Sequence, residues 1–332
     1  MRAARRIAAA AGVCLAVAGP ATQAAAIELR LPVDCRLGET CMIQQYVDRD
    51  PGSGATDHRC ASLSYDGHKG TDIRLQSLAA MRAGVDVLAA ADGVVAGVRD
   101  GMPDIRFNDP GAPDLEGRDC GNGVRIVHAD GWSTQYCHLQ EGSVSVAKGT
   151  RVAAGQPIGR IGLSGRTEFP HVHLTLRDGE GRVVDPFDGR SMDTPCGAKA
   201  AGDSLWADPT LAHVPGGVVS AGMLGHVPSY EEVRAEAPSV ERLPGDAQSL
   251  IAWTFFFGVM KGDRLAISIR APGGGMLVSN THVMDRNRAA EFRAIGRRRP
   301  EGGWPAGAYE GRAALIRNGS VVATRRMPLT VE

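Results

Sequence analysis

Between Ile27 and about Gly197 every strand-like run ends early at a glycine-containing turn; residues 85–89, 94–98, 124–128 and 132–139 are such runs. Chains punctuated this way cannot build long helices. With 43 Gly and 19 Pro and only 5% aromatic residues, short strands joined by frequent turns predict an antiparallel all-β domain. Residues 99–120, rich in Asp, Pro and Gly, are too many for a simple hairpin loop and are expected to lie over one face of the sheet.

The 332 residues suit about two domains. Residues 1–26 read as a signal peptide. Arg2, Arg5 and Arg6 form a basic start, residues 7–18 an apolar stretch, and Ala24-Ala25-Ala26 a small-residue cleavage site. Export to the periplasm is expected, with secretion into the medium as the alternative. After that segment no apolar run of about 20 residues occurs, so no mature membrane span is expected. The balance of 37 basic and 37 acidic residues argues against a nucleic-acid partner bound by broad phosphate neutralisation. The first domain is expected over 27–199 and a linker over 200–242, in which 230–235 resembles a helical turn. A small immunoglobulin-like β-sandwich is expected over 243–332. Leu265, Ile267 and Ile269 alternate there with polar or small residues, and Asn318-Gly319 marks a hairpin. Arg297-Arg298-Arg299 reads as a solvated loop.

Once the signal is removed, together with Cys14, six cysteines remain, an even number that points to disulfides in an oxidising compartment. Fifteen pairings exist and spacing alone does not choose among them. Cys35–Cys41 would close a small loop around Gly38, and Cys120 and Cys137 flank a hairpin centred on Ala129-Asp130-Gly131. Cys60–Cys196 would follow by elimination.

The chemistry lies in the histidines. His68 and Asp72 stand four apart, and His171 and His173 stand two apart in Pro170-His171-Val172-His173-Leu174. On a strand, a spacing of two puts both imidazoles on one face and sends Val172, Leu174 and Leu176 to the other. The same alternation would place Tyr136 and His138 together on the preceding strand. Imidazole and carboxylate are good ligands for Zn²⁺, whose catalytic sites usually take three protein ligands and one water. His58, His213, His226 and His282 have no partner nearby in sequence and are assigned surface roles; His128, beside a turn, reads as structural.

These segments together resemble the lysostaphin-type (LytM-like) zinc metallopeptidases that cut peptidoglycan cross-bridges. The resemblance covers about 62–188 and runs through His68-Lys69-Gly70-Thr71-Asp72, Gly121-Asn122-Gly123, Tyr136-Cys137-His138-Leu139, Gly162-Leu163-Ser164-Gly165 and Pro170-His171-Val172-His173. It implies an antiparallel sheet with a groove, one Zn²⁺ held by His68, Asp72 and His173, and His138 and His171 as the catalytic pair. One of that pair would take a proton from the attacking water and one would stabilise the oxyanion; the resemblance does not say which does which. The implied substrate is the peptide stems of peptidoglycan, and the implied reaction is hydrolysis of their cross-links.

Phe169 stands where that family usually carries a small residue before Pro-His-x-His, which would narrow the groove or alter substrate choice. All five expected positions are filled. Loss of one would have favoured a non-hydrolytic wall-binding regulator that activates another hydrolase. The C-terminal domain shows no catalytic signature, and binding of wall polymer, recruitment of a regulatory protein or covering of the groove are its candidate roles.

Overall fold

The computed structural model describes residues 27–197 and 204–332. The expected signal peptide, 1–26, and the expected domain boundary at 199 lie outside the described residues. The first domain is built on an antiparallel sheet. Its strands run in the spatial order Cys41–Gln45, Thr71–Leu75, His171–Arg177, Ser133–Leu139, Asn122–Val127, Gly93–Arg99 and Arg151–Val152. Val172, Leu174 and Leu176 enter the core on one side of it, joined there by Ile73, Val124, Ile126 and Tyr136. Residues 99–120 return along the sheet, anchored by Asn122. Its side chain accepts from the Met102 N–H and donates to the Met102 carbonyl, both at 2.8 Å.

Three disulfides tie the domain, Cys35–Cys41, Cys60–Cys196 and Cys120–Cys137. The hairpin between Asn122–Val127 and Ser133–Leu139 turns through Ala129–Gly131, where Asp130 and Gly131 take φ of 53° and 76°.

The second unit is a two-sheet sandwich, and it begins before residue 243. Gly217–Leu224, within the stretch expected to be a linker, pairs with Ser249–Val259, which in turn pairs with Arg288–Arg298. Facing this sheet are five strands in the order Arg242–Leu243, Ser320–Val331, Gly307–Arg317, Arg264–Arg270 and Met276–Val283. Arg297 and Arg298, expected in a loop, extend a strand instead. Ser249–Val259 is buried along nearly its whole length because both its faces are covered. Leu250, Ala252 and Phe256 enter the sandwich core, while Trp253, Phe255 and Phe257 pack against the first domain. Three layers result, and the middle sheet serves both cores.

Among the described residues two short α-helices complete the fold. Helix α1 (Leu78–Ala83) starts at Ser77, whose hydroxyl accepts from the Ala80 N–H, and α2 (Tyr230–Glu236) starts at Ser229, which accepts from the Glu232 N–H. Among the described residues no helix is long and apolar enough to cross a membrane.

Candidate metal centre and groove

Strand register assembles the site. His173 lies opposite Asp72, and His171 opposite Arg74. Opposed residues of an antiparallel pair share a face, so these four side chains form one patch on the side away from Val172 and Leu174. His68 joins them from the loop leading into Thr71–Leu75. That loop passes so close to the next strand that a Cβ on Gly70 would lie 2.6 Å from His173 Nε2. Glycine is required there.

His68 Nε2, Asp72 Oδ1 and His173 Nδ1 converge, with separations of 3.1, 3.1 and 2.8 Å. The proton on His68 is placed by its other nitrogen. Nδ1 lies 2.7 Å from the Tyr46 carbonyl, which only accepts, so neutral His68 carries its proton there and presents a bare Nε2. His173 Nε2 is engaged by Thr175 Oγ1 at 3.0 Å, leaving Nδ1 for the cluster. Two imidazole lone pairs facing each other at 3.1 Å repel unless a proton or a cation lies between them. Burial works against a proton on His68, but the adjacent Asp72 carboxylate outweighs it and holds the pKa above its ordinary value. Burial likewise opposes ionisation of Asp72, yet His68 and His171 keep that carboxyl well below the usual carboxylate range. A buried carboxylate framed by two oriented imidazoles fits a divalent cation.

His138 reaches the cluster's side of the sheet by a route that alternation does not foresee. Tyr136 points into the core, where its hydroxyl accepts from the Ala90 N–H at 2.7 Å, so Tyr136 and His138 do not share a face as expected. At His138 the backbone adopts φ of 64°, a left-handed conformation unusual for a residue with a Cβ, and this swings the imidazole to the groove side. Its ring centroid lies 4.7 Å from that of His171 and 6.1 Å from that of His173. Both groove histidines spend Nδ1 on main-chain carbonyls, His138 on Ser164 at 2.8 Å and His171 on Phe169 at 2.9 Å. Burial pushes both pKa values down, that of His138 far down, with His171 and His173 adding to the effect. Both rings are therefore biased toward the neutral form, in which Nε2 is the unprotonated nitrogen; that of His171 lies 3.5 Å from Asp72 Oδ1, whose charge opposes the shift.

The carbonyls of Tyr46, Ser164 and Phe169, which orient these rings, carry no signature in sequence. His58 and His213, assigned to the surface, are instead largely enclosed. His58 Nδ1 lies 3.2 Å from Asp185 Oδ2 and His213 Nε2 lies 2.8 Å from Asp57 Oδ2, with both rings against Tyr46. His128 bridges the Asp92 carbonyl and Thr134 Oγ1 within the fold.

A two-histidine, one-carboxylate cluster beside two further imidazoles, set on one face of an antiparallel sheet, defines a metallopeptidase-type site. Residues 66–186 match the family model for Peptidase family M23, and this part of the chain is an M23 peptidase domain. Over 109 residues the chain is 37% identical to the peptidoglycan DD-endopeptidase ShyA of Vibrio cholerae, covering 33% of this chain and 20% of that protein. It is 32% identical over 117 residues to the cell division protein DipM of Caulobacter vibrioides, covering 35% of this chain and 16% of that one. The chain thus spans a fifth or less of the length of these two relatives. Among solved structures, the catalytic domain of the prophage-encoded M23 protein EnpA from Enterococcus faecalis aligns with 24% identity and a TM-score of 0.32, over 46% of this chain and 92% of that one.

Proposed function

We propose that this protein is an exported zinc endopeptidase that hydrolyses peptide cross-links of bacterial peptidoglycan. The observation that carries the proposal is the convergence of His68 Nε2, Asp72 Oδ1 and His173 Nδ1 beside the two neutral imidazoles of His138 and His171. Zinc, when bound by those three residues, supplies a Lewis acid that polarises a carbonyl and acidifies water.

The chain's own groups do the rest. His138 and His171 offer bare Nε2 atoms to the groove, and either accepts a proton there without losing its Nδ1 bond to Ser164 or Phe169. Once protonated, the same Nε2–H donates to negative charge developing on the attacked carbonyl oxygen. Peptidoglycan stems as substrate are supported by the names of the curated relatives. Three disulfides support an extracytoplasmic, periplasmic setting. A regulatory protein would act through the accessory sandwich, whose α2 touches the segment just before Pro170 through Arg234 and the Glu168 carbonyl.

Metal analysis of the purified chain, paired with mass spectrometry of digested sacculi, tests the proposal. The expected result is bound zinc and new peptide termini at cross-links. Bound zinc with no bond cut, and stimulation of an added hydrolase, would replace the enzyme by a wall-binding regulator.

A further inference from the structure

His171 is mounted on the three residues before Pro170. The Phe169 carbonyl accepts from its Nδ1–H, and Thr167 Oγ1 lies 3.1 Å from the same nitrogen while donating to the Phe169 carbonyl at 2.9 Å. The Phe169 ring lies 4.7 Å from the His171 ring, centroid to centroid. Whatever holds 167–169 therefore sets the direction of the His171 Nε2 lone pair.

Part of that hold comes from the first domain, where the Phe107 N–H donates to the Thr167 carbonyl at 3.1 Å, and part from the accessory unit. Arg234 on α2 donates from Nη2 to the Glu168 carbonyl at 2.6 Å. Arg74, opposite His171 in the sheet, lays its guanidinium 4.4 Å over the Phe169 ring and 5.5 Å from the ring of Phe255 in the sandwich. Arg74 is buried, and its hydrogen bonds go to neutral acceptors, Gln44 Oε1 and the Leu75 carbonyl. Among the described residues Arg74 has no carboxylate partner, so its guanidinium depends on the aromatic faces around it, and Phe255 helps to fix Arg74 and, through it, Phe169. The same helix ties in the long loop, because Glu231 pairs with Arg106 at 2.9 Å. Among the described residues no hydrogen bond or ion pair joins the accessory sandwich to His68, Asp72 or His173. The contact thus bears on the mount of His171 and makes no direct bond to the metal cluster, whose nearest link to it is His171 Nε2 at 3.5 Å from Asp72 Oδ1.

We infer that the accessory sandwich is a working part of the peptidase site: Arg234 and Phe255 are positioning residues that brace 167–169 and thereby aim His171. The inference rests on the proposed endopeptidase reading for its kinetic consequence, but its structural content can be measured without turnover.

The full-length, zinc-loaded chain is compared with Arg234→Ala, Arg234→Lys and Phe255→Leu. Readouts are kcat and KM on a cross-linked muropeptide, bound zinc, and the side-chain ¹⁵N–¹H resonances of His171. Arg234→Ala is expected to lower kcat by roughly ten- to a hundredfold with KM and zinc unchanged, and to broaden or shift the His171 Nδ1–H signal. Phe255→Leu should do the same more weakly. Arg234→Lys, whose ammonium still donates to a carbonyl, should restore part of both. An unchanged kcat with an unmoved His171 signal overturns the inference, and so does faster turnover, which would make α2 a restraint. If the wild-type chain cuts no muropeptide, the endopeptidase reading fails, and the His171 signal alone decides the brace: moved in Arg234→Ala it stands, unmoved it falls.

Discussion

Cys120 holds His138 from two sides: its carbonyl accepts the His138 N–H at 2.9 Å, and its sulfur is bonded to Cys137, the residue just before His138. The left-handed turn at His138 costs on the order of 1 kcal/mol for a residue with a Cβ, so this grip is what keeps the imidazole on the groove side. Replacing both Cys120 and Cys137 with serine should destabilise the fold by about 2–4 kcal/mol and lower turnover while zinc stays bound. Denaturant midpoints and metal content read the two effects separately; unchanged turnover would mean that the turn at His138 holds without the disulfide.

On the proposed reading, His138 and His171 serve turnover while His68, Asp72 and His173 hold the metal, although His171 Nε2 lies 3.5 Å from Asp72 Oδ1. His68→Ala and His173→Ala each remove a donor atom from the cluster and should lose zinc. His138→Ala and His171→Ala should keep zinc and lose turnover by a factor on the order of 10²–10⁴. Metal analysis of the four purified variants decides the matter, since equal metal loss in all of them contradicts the division of roles.

Periodicity made the His171–His173 strand legible, because its other face is apolar and buried and alternation survives intact. It failed at His138, where a single positive φ reverses which face a side chain takes. Gly217–Leu224 was unreadable as a strand for the opposite reason. Nearly all of it is buried, so no polar residues alternate with apolar ones, and it reads as featureless. His58 and His213 looked solitary because their partners, Asp185 and Asp57, are distant in sequence and meet them only in the folded chain. The ring-orienting carbonyls belong to no residue type and lie beyond any reading of side-chain pattern.

His128 predicts a pH dependence of stability. Burial lowers its pKa below the ordinary 6.5, so as pH falls the unfolded chain takes up this proton before the folded one does. Its contribution is therefore complete above about pH 6.5 and is lost as pH drops below that value. His128→Asn, whose amide can still bridge the Asp92 carbonyl and Thr134 hydroxyl, should be less stable near neutrality yet lose less on acidification. Urea midpoints at pH 7.5 and 5.0 for both chains provide the comparison; equal losses would assign the acid sensitivity elsewhere.

Removing the metal should weaken the fold at the cluster itself. Without a cation, the Asp72 carboxylate and the ring nitrogens of His68 and His173 lie within 3.1 Å of one another in a buried place, with only protons to bridge them. A ligand that binds only the folded chain stabilises it by mass action, about 4 kcal/mol at a thousandfold excess over its Kd. Melting temperature should therefore fall on chelation and rise again with added zinc. Asp72→Ala removes the negative charge that favours the cation, so its melting temperature should respond little to either treatment. Thermal scans of both chains, with chelator and with zinc, make the comparison. A zinc-dependent shift of full size in Asp72→Ala would show that the ion is held by other residues.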